Sequence, residues 1–260
     1  MEFKNEFEKY LKTKILGRNL IYVDCTESTN LLAKKNHQED DGTVFVAKIQ
    51  KAGVGRKQRV WESKEGGLYM SILTKPETDA KSASDLTLVA GLAVSRAING
   101  LTGEKAYIKW PNDIVVNNKK ICGILSLMQT KNETVSYVVC GIGVNVNNND
   151  FCEELNGIAT SIGQITDKKI SCPQVAAAIL NEFEDLYLEF LKNGFKGMLD
   201  EYKKRCITLG KNVTITTANE TYNAKAIDIN SDGNLVVKYE NEIRLITSAD
   251  ASVRGIMGYV

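Results

Sequence analysis

Apolar positions along the chain change period several times. Phe3, Phe7, Leu11 and Ile15 recur at near-helical spacing and predict one short helix over 3–16, ahead of a strand from Leu20 to Asp24. Apolar runs predict further strands at Val44–Lys48, Leu68–Leu73 and Ala106–Trp110. A hairpin follows, in which Ile114–Val116 turns at Asn117-Asn118 into Ile121–Leu127, and Thr134–Ile142 makes another strand. Between these, Leu86, Val89, Ala90, Ala93 and Ala97 form one helical face that should end at Asn99-Gly100. A longer helix should start at Ser171, with Gln174 three residues on in the form of a capping box, and stop at Gly194.

The texture changes after Cys206. Short strands at Val213–Thr216, Ala224–Ile229, Leu235–Tyr239 and Ile243–Ile246, with turns at Ser231–Gly233 and Glu240-Asn241, leave no room for a helix and predict a small barrel. The fold class is therefore α+β: a mixed-sheet domain over 1–206 and a small C-terminal β-barrel over 207–260.

Composition narrows the function. Lys and Arg number 33 against 32 Asp and Glu, so no global field draws in nucleic acid or an anionic membrane, and any anion site must be local. No signal-like apolar segment opens the chain and no run approaches the ~20 residues that span a bilayer, which predicts a cytoplasmic address. The space before the first strand is too short for a helix-turn-helix. The six cysteines are scattered without a Cys-x-x-Cys pair and read as buried free thiols. His37, the one histidine, lies in a polar stretch and reads as solvated, which sets aside Ser-His-Asp and Cys-His chemistry.

Five segments remain as candidate chemistry. Gln50 to Trp61 joins Gly53 and Gly55 to Arg56, Lys57 and Arg59, either as a solvated basic loop or as a clamp whose backbone N–H groups and cations hold a phosphate or carboxylate. It lacks the ending of a P-loop and the third glycine of a dinucleotide fingerprint. Lys109-Trp110-Pro111-Asn112-Asp113 is either a plain turn or a rigid presentation of an amide and a carboxylate to a sugar or Mg²⁺. Lys120 opens a strand whose Gly123 permits close approach of a ligand, and is either a solvated lysine or a fixed positive charge. The segment from Gly141 through Asn145 to Asn147 is a site-like strand end or an ordinary loop. Glu27 to Asn30 before Leu31 is a natural helix N-cap, whose hydroxyls and N–H groups are equally suited to the polar head of a small ligand.

The order and spacing of these motifs resemble the biotin protein ligase family over nearly the whole chain. The match comprises Ser28-Thr29-Asn30, Gln50 with Gly53-x-Gly55-Arg56-x-x-Arg59-x-Trp61, the Lys109 to Asp113 string, Lys120-x-x-Gly123-Ile124-Leu125, Gly141 to Asn147, Ala159 to Ser161, and the terminal Ala251 to Arg254. The resemblance implies a catalytic domain of the biotin/lipoate ligase type with an SH3-like C-terminal module, in the form without an N-terminal DNA-binding domain. It implies ATP-dependent activation of biotin to biotinyl-5'-AMP and transfer to one lysine of a biotin carboxyl carrier domain.

It further implies that Ser28, Thr29, Asn30, Gln50, Gly53, Gly55, Arg56, Lys120 and Gly123 bind biotin. Arg56, Lys57, Arg59, Trp61, Asn112, Asp113 and Asn145 would bind ATP, Asp113 would meet Mg²⁺, and Arg56 and Lys120 would be the catalytic cations. No DNA or membrane partner is expected, and the chain should be a monomer or a loose homodimer. Two positions depart from the family pattern: Val54 stands where a basic residue is usual, and Leu127 where a glutamate is usual. A lipoate or octanoate ligase, a biotin-responsive repressor and a non-catalytic biotin-binding paralogue are the alternatives.

Overall fold

A computed structural model of the chain describes residues 2–132, 134–248 and 251–255. The outer ends of the two predicted units, residue 1 and residues 256–260, lie outside the described residues. In chain order the first unit comprises α1 (Glu2–Tyr10), β1 (Leu20–Thr26), α2 (Thr29–Lys35), β2 (Val44–Gln50), β3 (Leu68–Thr74), α3 (Ala80–Ala83), α4 (Leu86–Thr102), β4 (Tyr107–Lys109), β5 (Asp113–Val116), β6 (Lys119–Lys131), β7 (Thr134–Val144), α5 (Ile162–Ile165), α6 (Cys172–Asn193) and α7 (Leu199–Arg205). Its seven strands form one sheet in the order β1-β2-β3-β7-β6-β5-β4, parallel between β1 and β2 and antiparallel elsewhere.

Alternation along the strands divides the sheet into two unlike faces. Met70, Ile72, Cys140, Ile142 and Ile124 point to the side covered by α4 and α6 and belong to the main core. The opposite face carries Phe45, Leu73, Tyr137 and Val139, which α2 covers through Ala33. Further along that second face the small residues Gly123, Gly141 and Gly143 replace the bulky ones, with the first turn of α2 reaching Gly141 through Asn30 and the Trp61 side chain resting on Gly123 and Gly143. The sheet is a floor there.

Three expectations need correction. The first helix ends at Tyr10 and not near residue 16, because the Glu184 carboxylate accepts the N–H groups of Lys14, Ile15 and Leu16, and Asn181 accepts that of Lys12. Helix α4 runs through Gly100 to a left-handed cap at Gly103 (φ 84°). The thiols are all free, but only Cys122, Cys140 and Cys206 are buried; Cys152 and Cys172 are half-buried and Cys25 is exposed. Other signals hold. Asn117 and Asn118 both have positive φ, as a two-residue hairpin turn requires. Ser171 accepts the N–H of Gln174 at the start of α6, and His37 is exposed, resting on Tyr137.

The C-terminal strands β8 (Asn212–Thr216), β9 (Thr221–Ile229), β10 (Leu235–Tyr239), β11 (Glu242–Ile246) and β12 (Ser252–Gly255) form a separate antiparallel sheet in the order β11-β10-β9-β8-β12. It is joined to the first unit through the Lys109 to Asp113 string. Trp110 is buried, its backbone N–H bonds Thr208 Oγ1 at 3.0 Å, and its indole N–H bonds the Gly233 carbonyl at 3.0 Å. Gly233 has φ +69°, and a Cβ there would fall 2.4 Å from Leu88, so only glycine fits this seam. Asp85 is buried beside it, and burial first, then the charge of Asp232, pushes its carboxyl up to about 7. Among the described residues no helix is long and apolar enough to cross a membrane.

Candidate functional site

Two neighbouring rows of the open sheet face make the floor of a cavity of about 530 Å³. The first row pairs Ser71 with Gly141 and Gly141 with Leu125. The second pairs Tyr69 with Gly143, Gly143 with Gly123, Gly123 with Asp113, and Asp113 with Lys109. Two residues separate the rows along each strand, roughly 6.6 Å.

Over the first row lies the start of α2. Asn30 lies flat on Gly141, where a Cβ would come 2.2 Å from its Oδ1. Its Nδ2 donates to the Leu125 carbonyl at 3.0 Å and its Oδ1 accepts from Ser71 Oγ at 2.7 Å. Thr29 N–H donates to Gln50 Oε1 at 2.8 Å, and Gln50 Nε2 donates to Ser63 Oγ at 2.8 Å. Ser28 holds the N-cap position but makes no side-chain capping bond. Its hydroxyl is thus not used to stop the helix.

The second row carries charge. Trp61 rests on the two glycines, since a Cβ on Gly143 would fall 2.5 Å from the indole nitrogen and one on Gly123 would fall 3.0 Å from the ring. That indole N–H is buried without a hydrogen-bond partner. Lys120 Nζ pairs with Asp113 at 2.7 Å and stands 5.1 Å from the centre of the Trp61 ring. Lys109 is buried in the same wall. Loss of hydration lowers its ammonium to about 8, against the opposing pull of Asp113. Arg56 Nη1 donates to Asn112 Oδ1 at 3.2 Å, while Nη2 donates to the carbonyls of Ala251 (2.8 Å) and Ser248, so this guanidinium ties the loop to the C-terminal sheet. Burial lowers the Arg56 pKa.

The loop from Gly53 to Trp61 reaches this position differently from expectation. Neither Gly53 nor Gly55 is among the residues with positive φ; Lys57 (55°) and Gln58 (59°) make the sharp bend instead. Gly55 N–H is committed to the Arg59 carbonyl at 2.7 Å and Trp61 N–H to the Gly53 carbonyl at 2.9 Å, which folds the loop on itself. Gly53 faces away from the cavity, where a Cβ would fall 2.5 Å from both Ser63 Oγ and the Trp61 carbonyl.

The other candidate residues converge. Ser28, Thr29, Asn30, Gln50, Gly55, Arg56, Lys57, Arg59, Trp61, Asn112, Asp113, Lys120, Gly123 and Asn145 all line the cavity. Asn145 does so with its amide already bonded to the Thr160 carbonyl. Among the lining residues Arg56, Lys57, Arg59, Lys64, Lys109, Lys120 and Arg254 face only Glu62, Asp113 and Asp150. In a chain whose formal charge is +1, this cavity lining is locally cationic, an arrangement suited to a polyanion.

Sequence reasoning missed Ser63 and Ser71, and it named Lys109 within its motif without giving it a role. The one available signal for Ser71 is a hydroxyl inside the otherwise apolar run Leu68–Leu73. No cluster of three His, Cys, Asp or Glu side chains that could hold a metal occurs among the described residues. Asp113 can contribute a single carboxylate, the usual protein share for Mg²⁺ that arrives on a nucleotide.

Comparison with known proteins places this geometry in context. Residues 22–145 match the model of the biotin/lipoate A/B protein ligase family, and residues 208–254 match the biotin protein ligase C-terminal domain. The bifunctional ligase/repressor BirA of Bacillus subtilis is 39% identical, over 95% of this chain and 78% of its own length. The biotin--[acetyl-CoA-carboxylase] ligase of Mycobacterium tuberculosis is 28% identical, over 94% of both chains. Among solved structures, the biotin protein ligase of Aquifex aeolicus in complex with biotin and ATP superposes with a TM-score of 0.81 at 30% identity, covering 92% of this chain and 99% of that one.

Proposed function

The chain belongs to the biotin/lipoate A/B protein ligase family, and from that premise we propose that it is a biotin protein ligase. It activates biotin with ATP to biotinyl-5'-AMP and passes the biotinyl group to a lysine of a carrier protein. The observation that carries this is the polarity of the cavity: a hydrogen-bonded neutral floor at one end and a concentration of cations at the other. A neutral ring bearing a carboxylate and a nucleotide triphosphate are the two ligands such a cavity suits.

In the first half-reaction a carboxylate oxygen of biotin attacks the α-phosphorus of ATP and pyrophosphate leaves. Arg56 and Lys120 hold the two reacting anions together, and their grip strengthens as charge builds on the phosphoryl oxygens. Lys120 reaches that role already paired to Asp113, so the incoming anions share it with, or take it from, a carboxylate 2.7 Å away. In the second half-reaction the acceptor amine attacks the acyl carbon and AMP leaves. Ser28, Thr29, Asn30, Gln50 and Gly123 form the biotin pocket, with Gly55 above it. Lys57, Arg59, Trp61, Asn112 and Asn145 serve the nucleotide, and Asp113 would hold a Mg²⁺ that would supply charge neutralisation to its phosphates.

The division between catalytic domain and SH3-like module falls near residue 207. The acceptor is a biotin carboxyl carrier domain, the compartment is the cytoplasm, and the enzyme is a monomer or a loose homodimer that binds no DNA. Transfer of radiolabelled biotin to a carrier domain in the presence of ATP tests the activity. A lipoate or octanoate ligase is separated by pyrophosphate release, expected with biotin and not with lipoate. The opposite dependence refutes the biotin assignment.

A further inference from the structure

Ser71 lies on β3 with no solvent exposure, and its hydroxyl has two oxygen neighbours, Asn30 Oδ1 at 2.7 Å and Thr29 Oγ1 at 2.8 Å. A serine carries one proton, so it donates to only one of them. The Asn30 orientation decides which. Its Nδ2 faces the Leu125 carbonyl, which only accepts, so Oδ1 is the atom turned to Ser71 and must receive the Ser71 proton. Thr29 then donates to Ser71. Its longer approach of 3.2 Å to Gln50 Oε1 competes poorly, because that oxygen already accepts the Thr29 N–H at 2.8 Å. Gln50 Nε2 in turn donates to Ser63 Oγ, and Ser63 sends its proton to the Trp61 carbonyl.

Every proton in this network therefore has a direction before a ligand enters. Thr29 lines the cavity with its hydroxyl proton spent behind it, so toward the cavity its Oγ1 offers only lone pairs. We propose that Ser71 is the positioning residue that fixes this polarity, making Thr29 an obligatory acceptor and selecting a head group that brings a ring N–H, the chemistry of a cyclic urea. Ser71 touches no substrate; it acts through Thr29 and Asn30. The inference rests on the biotin ligase reading above and names a residue that selects the ligand within it.

Removing the Ser71 hydroxyl has two consequences. Asn30 Oδ1 loses its donor and the amide loosens on Gly141. The Thr29 proton loses its nearest partner and is free to turn into the cavity, where the pocket then accepts as well as donates. Sites built around such bonds reject analogues lacking the matching group far more strongly than apolar pockets do.

The test measures binding and steady-state rates of the full chain carrying Ser71→Ala, with biotin and with cyclic-carbamate analogues in which one ring N–H is replaced by oxygen. Wild type should bind biotin and reject one of the analogues by about a hundredfold or more, at least the scale of one buried acceptor left unpaired. Ser71→Ala should raise the KM for biotin about tenfold, leave the KM for ATP and kcat within about threefold, and cut the discrimination to about tenfold. Ser71→Thr, which keeps the hydroxyl, should restore discrimination. Should Ser71→Ala fail to fold, judged by lost ATP binding and lowered Tm, Ser71→Cys supplies the same comparison with a weak donor. Wild-type failure to bind biotin overturns the function itself. If wild type binds biotin and the folded variant keeps both affinity and discrimination within twofold, the Ser71 role alone is wrong.

Discussion

The two ends of the cavity are built on adjacent rows of one sheet, yet they are finished to different degrees. At the Ser71 row the described protein groups satisfy one another: Asn30 is held at both ends, Gln50 is bonded through both its oxygen and nitrogen, and the floor is closed. At the Asp113 row cations outnumber carboxylates, the Trp61 N–H has no partner, and Arg56 is engaged with the C-terminal sheet. One end is organised ahead of its ligand, and the other is completed by it. Preorganisation suits a small neutral ring, whose few hydrogen bonds must not be diluted by ordering costs. An unfinished cationic end suits a polyanion that brings its own ordering energy and must later depart as pyrophosphate and AMP.

The largest test of this contrast is Lys120→Ala, which removes a fixed cation from the unfinished end. Adenylate formation should fall by at least about a hundredfold, the scale set by loss of one preorganised transition-state contact. Biotin binding, measured by itself, should weaken by much less than the rate falls, because Lys120 meets only the carboxylate while the Ser71 row is wired without it. An unchanged rate of pyrophosphate release in a folded variant would remove Lys120 from the chemistry.

Arg56→Gly probes the junction of loop and C-terminal sheet. The loss of a charge-assisted contact, roughly 1.5–3 kcal/mol, is enough to speed escape of bound biotinyl-5'-AMP by about one to two orders of magnitude. Trapping released adenylate with hydroxylamine, together with blotting bystander proteins for biotin, measures the leak. Adenylate no freer than in wild type would mean that retention lies elsewhere on the wall.

The contrast also explains what was legible in the sequence. The strands, the Asn117-Asn118 turn, the Ser171 cap and the change of texture after Cys206 follow from local periodicity and turn chemistry, and each is decided within a few residues. The charged end was legible for the same reason: Arg56, Lys120 and Asp113 sit in motifs with contrast against their neighbours. The finished end was half hidden. Ser71 looks like a minor interruption in an apolar strand, and its partners Thr29 and Asn30 are some forty residues upstream, so only the sheet register brings them together. The short first helix failed for a related reason. Glu184, 168 residues beyond Leu16, takes the N–H groups that would have extended it.

A methyl group placed on each row compares the two ends directly. Gly141→Ala puts a Cβ 2.2 Å from Asn30 Oδ1, and Asn30 cannot retreat without giving up a buried bond to Ser71 or to Leu125. Breaking one such bond costs about 1–3 kcal/mol, so biotin should bind roughly tenfold more weakly, with ATP affinity unchanged. Equilibrium dialysis with labelled biotin reads this, and an affinity within twofold of wild type would show that Asn30 is not held as tightly as its bonds imply.

The smallest effect belongs to the matching change on the other row. Gly143→Ala places a Cβ 2.5 Å from the Trp61 indole nitrogen, a clash almost as severe as the one at Gly141. Trp61, however, sits on a loop that folds back on itself outside the sheet, and its indole N–H has no partner to lose, so the ring can slide at the cost of packing alone. The displacement should raise the KM for ATP by about two- to fivefold, up to about 1 kcal/mol, while biotin affinity stays within twofold. Initial rates at varied ATP and saturating biotin give the first number, and dialysis gives the second. If Gly143→Ala weakens biotin as much as Gly141→Ala does, the indole is as rigidly held as Asn30, and the distinction between a finished and an unfinished end fails at the residue on which it most depends.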